Sequence, residues 1–156
     1  MDVKIRKAEI KDLEAVMVLF DKLSLSDLPY DTEVDVYWAH TPDGKKNFTD
    51  KIQEKGGACF IAEIDIKIVG FLLATKKEDP TYRLIKVADL EHLVVDEKYR
   101  SQGIGKKLMD AFTSWAKAEG IDKVSVNVFT DNEKGIKFYK REGFVPFESI
   151  LEKKVD

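Results

Sequence analysis

The stretch from Glu91 to Gly105, EHLVVDEKYRSQGIG, restricts the architecture of this chain more than any other. An apolar strand pattern feeds a glycine-containing turn, and a strongly periodic helix from Ile104 to Ala118 follows at once. That order makes an anion site, because the free N–H groups of a helix's first turn point at whatever the preceding loop holds. Gly103 and Gly105 lack the Cβ atoms that would keep a ligand away from the backbone. Lys106 and Lys107 fall in the first turn, where the helix dipole disfavours cations. A bound polyphosphate reverses that penalty. The plain alternative is an ordinary connection, with glycines for the turn and lysines in solvent.

Spacing excludes two common phosphate motifs. A Walker A loop wants Gly five residues before its Gly–Lys pair, then Ser or Thr; those places hold Arg100 and Lys107. A dinucleotide fingerprint starting at Gly103 needs a third small residue where Leu108 stands.

Around this centre the periodicity alternates between strand and helix. Val3 and Ile5 alternate with Lys4 and Arg6 as a first strand. Leu13, Val16, Leu19, Phe20 and Leu23 form a helical stripe over 11–23, and Ser24 to Thr32 reads as a loop. A helical region over 33–55 is interrupted by Thr41-Pro42-Asp43-Gly44 and stopped by Gly56-Gly57. Ala58–Glu63 and Ile68–Thr75 read as an antiparallel hairpin, broken at Glu78-Asp79-Pro80. Leu84–Val95 is a long strand, and Gly120 caps the helix that follows the turn. Val124, Val126 and Val128 alternate; Asp131 or Asn132 then caps a helix to about Glu142, and Phe144–Leu151 reads as a last strand. The order β-α-α-β-β-β-α-β-α-β predicts one α/β domain over 1–156 with a mixed sheet. The turn sits at the carboxyl end of a parallel strand, where open α/β sheets bind ligands.

Composition removes several function classes. With 26 basic and 29 acidic residues the formal charge is −3, which gives no basic excess for nucleic acid and no polybasic membrane patch. No segment approaches the roughly 20 apolar residues of a membrane span, and Met1-Asp2-Val3-Lys4 runs into a strand pattern without a signal-peptide core. Cys59 is the lone cysteine, so an internal disulfide is impossible and a cytoplasmic setting is expected. His40 and His92 are the only histidines, and no metal site is expected.

Arg100-Ser101-Gln102-Gly103-Ile104-Gly105 matches Arg/Gln-x-x-Gly-x-Gly/Ala, and Asn132 to Phe144 contains Asn-x-x-Gly followed by Phe138-Tyr139-x-x-x-Gly143-Phe144. Together with Ile5-Arg6-Lys7-Ala8 and Asp12-Leu13, these segments resemble the GNAT family of N-acetyltransferases over nearly the whole chain. Gly135 departs from that family's usual Ala. The resemblance implies a mixed, mostly antiparallel sheet of about six to seven strands with helices on both faces. It implies acetyl-CoA as co-substrate, an amine as acceptor and, as in many such families, a possible homodimer.

It also implies roles by position. Arg100, Ser101, Gln102, Gly103, Ile104, Gly105 and Lys106 would bind the cofactor's diphosphate. Amides of Leu93, Val94 and Val95 would polarise the thioester and hold pantetheine where the strand splays. Asn132 would reach the pantetheine or sulfur region. Glu91 is the candidate base, directly or through water, and Asp89 and His92 are its neighbours in competition. A carboxyl beside Leu90, Leu93 and Val94 is expected to hold its proton more tightly than usual. His92 should face the opposite side of the strand unless a bulge intervenes. Tyr139 is the candidate acid for the departing thiolate, with core aromatic as its other reading. Tyr30, Tyr37 and Trp38 are expected either to wall the acceptor pocket or to pack in the core. Asp21, Asp27, Asp31, Glu33 and Asp35 either attract a cationic amine or form a solvated face. Cys59, Phe112 and Trp115 are expected in the core. The leading function is acetyl transfer to a small or peptide amine; the alternatives are an acyl-CoA sensor without turnover and another nucleotide-phosphate binder.

Overall fold

A computed structural model describes residues 2–78 and 82–156, so Asp79 and Pro80 of the expected strand break lie outside the described residues. Five strands form one sheet in sequence order: β1 (Lys4–Lys7), β2 (Gly57–Ile64), β3 (Lys67–Lys76), β4 (Val87–Val95) and β5 (Lys123–Val126). Neighbours pair antiparallel from β1 to β4, and β4 runs parallel to β5. The mixed sheet agrees with the sequence; its five strands fall short of six to seven. Phe144–Leu151 is the expected strand that does not form: the Phe144 N–H turns back to the Tyr139 carbonyl, and the backbone from Val145 on pairs with nothing among the described residues.

Helices cover both faces. α1 (Leu13–Asp27) and α2 (Pro42–Ile52) bury one face, where Phe20, Phe48, Ile61, Phe71 and Leu73 pack. α3 (Ile104–Ala118) and α4 (Glu133–Arg141) lie on the other, with Phe60, Leu72, Leu90, Leu108 and Phe112 at its centre. Alternation along β2 sends Phe60 to α3 and Ile61 to α1, as a strand buried on both faces requires. Phe48, Phe71 and Phe112 are fully buried, and truncating any one to Ala costs about 3–5 kcal/mol.

Three boundaries differ from the periodicity, the first two for local reasons. α1 continues past Leu23 to Asp27, because Ser24 is buried and the Ser26 hydroxyl donates back to the Leu23 carbonyl. The Thr41-Pro42-Asp43-Gly44 interruption is the start of α2: Thr41 accepts the Gly44 N–H, and Pro42 takes the first position. β4 begins at Val87, three residues after the exposed Leu84. No helix among the described residues is long and apolar enough to cross a membrane.

Candidate active site

β5 accompanies β4 only from Val87 to Leu90, so Glu91 to Val95 has no strand on that side among the described residues. On the β3 side, the Asp96 N–H donates to the Val69 carbonyl at 2.8 Å. Strand alternation therefore turns the Val94 amide toward β3 and leaves those of Leu93 and Val95 at the open edge. Of the three residues expected to present amides, these two do.

A bulge rearranges the residues just before them. Leu73 pairs with His92 but Ala74 with Leu90, leaving Glu91 as the extra residue. As a result Glu91 and His92 both face α1 and α2, while Leu90 and Leu93 face α3. The Glu91 carboxylate accepts from Asn47 Nδ2 at 2.9 Å and from the Thr75 hydroxyl. Its setting is thus polar, in place of the apolar one expected among Leu90, Leu93 and Val94. Asn47 is itself held by Lys51 Nζ at 2.9 Å. His92 packs on Phe20 at 4.6 Å between ring centres, and its buried Nε2 has no hydrogen-bond partner among the described residues. Burial pushes the His92 pKa down to about 4, against the pull of Glu91.

Past the strand, Asp96 caps a short turn by accepting the Lys98 N–H, and Arg100 Nε donates to the Val95 carbonyl at 2.9 Å. Ser101 (φ 62°) and Gly103 (φ 80°) then curl the chain under the first amides of α3. A Cβ on Gly103 would meet nothing within 4 Å, so glycine answers the left-handed backbone there, not crowding. Gly105 differs: its Cβ would stand 3.3 Å from the Phe138 ring, so its smallness lets α4 approach α3. Lys106 donates to Asp110 at 3.1 Å, which raises its pKa and offsets the cation's poor position in the dipole.

Strand edge, turn and helix ends enclose a cleft of about 740 Å³. Glu91, Leu93, Val94 and Val95 line one wall; Arg100, Ser101, Gly103, Ile104, Gly105 and Lys106 line the floor; Asn132 and Tyr139 line the far side. Gln102 is absent from the lining. Asn132 also caps α4 through the Gly135 N–H, and a Cβ on Gly135 would come within 2.7 Å of that side chain. This explains glycine where the family prefers alanine. Tyr139 packs between Phe138 and Phe144, and burial raises its hydroxyl pKa to about 12.

On the acceptor side the expected aromatic and acidic residues divide. Tyr37 is 74% exposed, and Trp38 packs against Phe20 and Phe48 in the core. Tyr30 alone borders the cleft, by stacking at 5.3 Å on Phe129 of the lining. Among the acidic residues, Asp21 pairs with His40 at 2.8 Å, while Asp31 and Asp35 accept nearby backbone N–H groups. Only Asp27 lines the cleft, and burial, with the charge of Asp31, raises its pKa. Sequence reasoning missed Lys134, Lys137 and Arg141, which line the cleft from α4. Their spacing of three and four residues, one helical face, was the available signal.

Comparison with known proteins agrees with this geometry. The model of the acetyltransferase (GNAT) family matches residues 23–144. Human N-acetyltransferase 8 is 33% identical over 93 residues, 60% of this chain, which spans 40% of that relative's length. L-amino acid N-acetyltransferase AaaT of Escherichia coli is 27% identical over 149 residues, covering 92% of this chain and 83% of the relative. The PaiA N-acetyltransferase of Thermoplasma acidophilum in complex with coenzyme A superposes with a TM-score of 0.78 at 20% identity, over 96% of this chain and 94% of that one. With the family match running across both sheet faces and the turn between them, this chain belongs to the GNAT acetyltransferase family.

Proposed function

We propose that this chain transfers an acetyl group from acetyl-CoA to a primary amine by direct attack, with Glu91 as general base and Tyr139 as general acid. The observation that carries the reading is the open edge of β4, which continues into the turn at Gly103 while Glu91 and Tyr139 line the same cleft. The residues present fit the cofactor: α3 amides, Lys106, Lys134, Lys137 and Arg141 supply donors and positive charge for a diphosphate. The bound thioester supplies the acyl group and a thiol leaving group.

An alkylammonium has a pKa near ~10.4, so the acceptor must lose a proton before it attacks. Glu91, held by Thr75 and Asn47, is placed to take that proton directly or through water. Amides of Leu93 and Val95 stabilise charge developing on the carbonyl oxygen. Tyr139 stays protonated through neutral pH, since its pKa lies at about 12, and so can donate to the departing thiolate. Asp27 and the Tyr30–Phe129 stack bound the acceptor side and favour a cationic partner, either a small amine or a peptide amine. The single buried cysteine fits a cytoplasmic setting, and the charge of −3 fits neither nucleic acid nor an anionic membrane as partner.

The test is release of free CoA thiol from acetyl-CoA across a panel of amines. Amine-dependent release that is lost in Glu91→Gln and Tyr139→Phe supports the reading. Tight CoA binding with no release on any amine would favour a sensor without turnover.

A further inference from the structure

One buried charge beneath α2 has no part in the chemistry so far. Lys51, near the end of that helix, is only 8% exposed, although a lysine is rarely buried without a carboxylate to pair with. Lys51 forms no ion pair among the described residues; the neighbouring Asp50 pairs with Lys46 at 2.5 Å instead. What Lys51 Nζ does reach is Asn47 Oδ1, 2.9 Å away and one helical turn back on the same face. Gly57 leaves the lysine stem its route, since a Cβ there would stand 2.7 Å from Lys51 Cδ.

An amide side chain can turn either end toward a neighbour, and its partners decide which. An ammonium only donates, so Lys51 engages the oxygen of Asn47. The Nδ2 hydrogens are thereby turned to Glu91, whose ionised carboxylate only accepts. Lys51, Asn47 and Glu91 thus form a chain with a single workable direction. Its far end needs such a hold, because Glu91 is the extra residue of the bulge and no residue of β3 pairs with it. Asn47 donates to Oε1 and the Thr75 hydroxyl to Oε2, which together fix the plane of the carboxylate. The fully buried Phe48 anchors the same turn of α2 in the core.

We propose that Lys51 is a positioning residue for deprotonation of the acceptor: acting through the Asn47 amide, it aims the Glu91 carboxylate without touching substrate or cofactor. The proposal rests on the reading of Glu91 as general base, and its test separates the two. Without the ammonium, Asn47 is free to turn its oxygen toward Glu91. The carboxylate then loses a donor and faces a second acceptor.

Lys51→Met keeps the length and apolar stem of the side chain but removes the donor. The kcat for amine-dependent CoA release should fall about 10–100-fold, with the KM for the amine and the affinity for CoA within about twofold of the wild type. The decisive comparison is the double variant with Glu91→Gln. Groups that act through one another are not additive, so Lys51→Met should cost no further activity once the carboxylate is gone. An equal fold-loss in both backgrounds would overturn the proposal, as would full activity in Lys51→Met where Glu91→Gln is impaired; the base reading survives either result. Full turnover in Glu91→Gln would remove the base itself, and the positioning role with it. A readout independent of turnover is the side-chain amide signal of Asn47 in a nitrogen–proton correlation spectrum, identified by its disappearance in Asn47→Leu. That signal should move in Lys51→Met, and an unmoved signal would overturn the link between the two residues.

Discussion

His92 Nε2 stands 3.8 Å from Glu91 Oε1, although the two residues are consecutive on one strand. Consecutive side chains normally point to opposite faces, and only the bulge opposite Leu73 and Ala74 lets them meet. The strand thereby delivers a carboxylate and an uncharged imidazole to the same wall of the cleft.

That pairing has a pH signature. The folded-state pKa of His92, about 4, lies below the unfolded value near 6.5. Folding therefore resists its protonation, so stability is full above about pH 6.5 and declines as pH falls toward 4. A gap of this size corresponds to about 3–4 kcal/mol. Urea unfolding between pH 4 and 7 should show a shallower acid loss in His92→Phe, which keeps the contact with Phe20, than in the wild type. Parallel curves would refute the assignment.

Replacing Glu91 by Gln keeps its size and its place beside Thr75 and Asn47 but removes the proposed base. Amine-dependent turnover should fall by about 10²–10⁴-fold, with CoA affinity unchanged. Tyr139→Phe should cost less, since water can protonate a thiolate. Calorimetric CoA titration alongside the kinetics separates binding from chemistry.

At Gly103 two substitutions part strain from charge. Ala at φ 80° costs on the order of 1 kcal/mol of backbone strain and meets no neighbour. Glu adds a carboxylate where, in the proposed function, the helix amides face a diphosphate. CoA affinity should drop modestly in Gly103→Ala and at least 100-fold in Gly103→Glu, with both melting within a few degrees of each other. Equal affinities in the two variants would mean that the diphosphate sits elsewhere.

Far from the cleft, Arg6 donates to both oxygens of the buried Asp12, at 2.8 and 3.1 Å, and to Glu63 at 2.9 Å. Arg6 is the largest cause holding the Asp12 carboxyl below its ordinary range. Its stabilisation is present above that range and is lost as pH falls through the lowered value. Arg6→Ala strands a buried carboxylate and should destabilise by about 3–5 kcal/mol. The double variant with Asp12→Ala should recover part of that loss in denaturant melts.

Legibility followed the range of the interaction concerned. The helix after Gly103 and the paired strands 57–64 and 67–76 were readable because their apolar periods are local. The bulge was not, since nothing in Leu90-Glu91-His92 encodes which residue β3 will skip. Tyr37 and Trp38 have positions in the sequence that allow either pocket wall or core, and a single turn of backbone sends one to solvent and the other into the Phe20–Phe48 cluster. Phe144–Leu151 has the composition of a strand, but a strand exists only where a second one offers its hydrogen bonds. That offer is made between elements, and periodicity within one element is silent about it.

The bond from Arg100 Nε to the Val95 carbonyl works as a fixed ruler. It ties the end of the strand that leaves the Leu93 and Val95 amides at the open edge to the turn that presents the first amides of α3, so the two cannot drift apart independently. In the proposed function, a ligand long enough to touch both must match that set separation, so the loop would measure its guest as well as grip it.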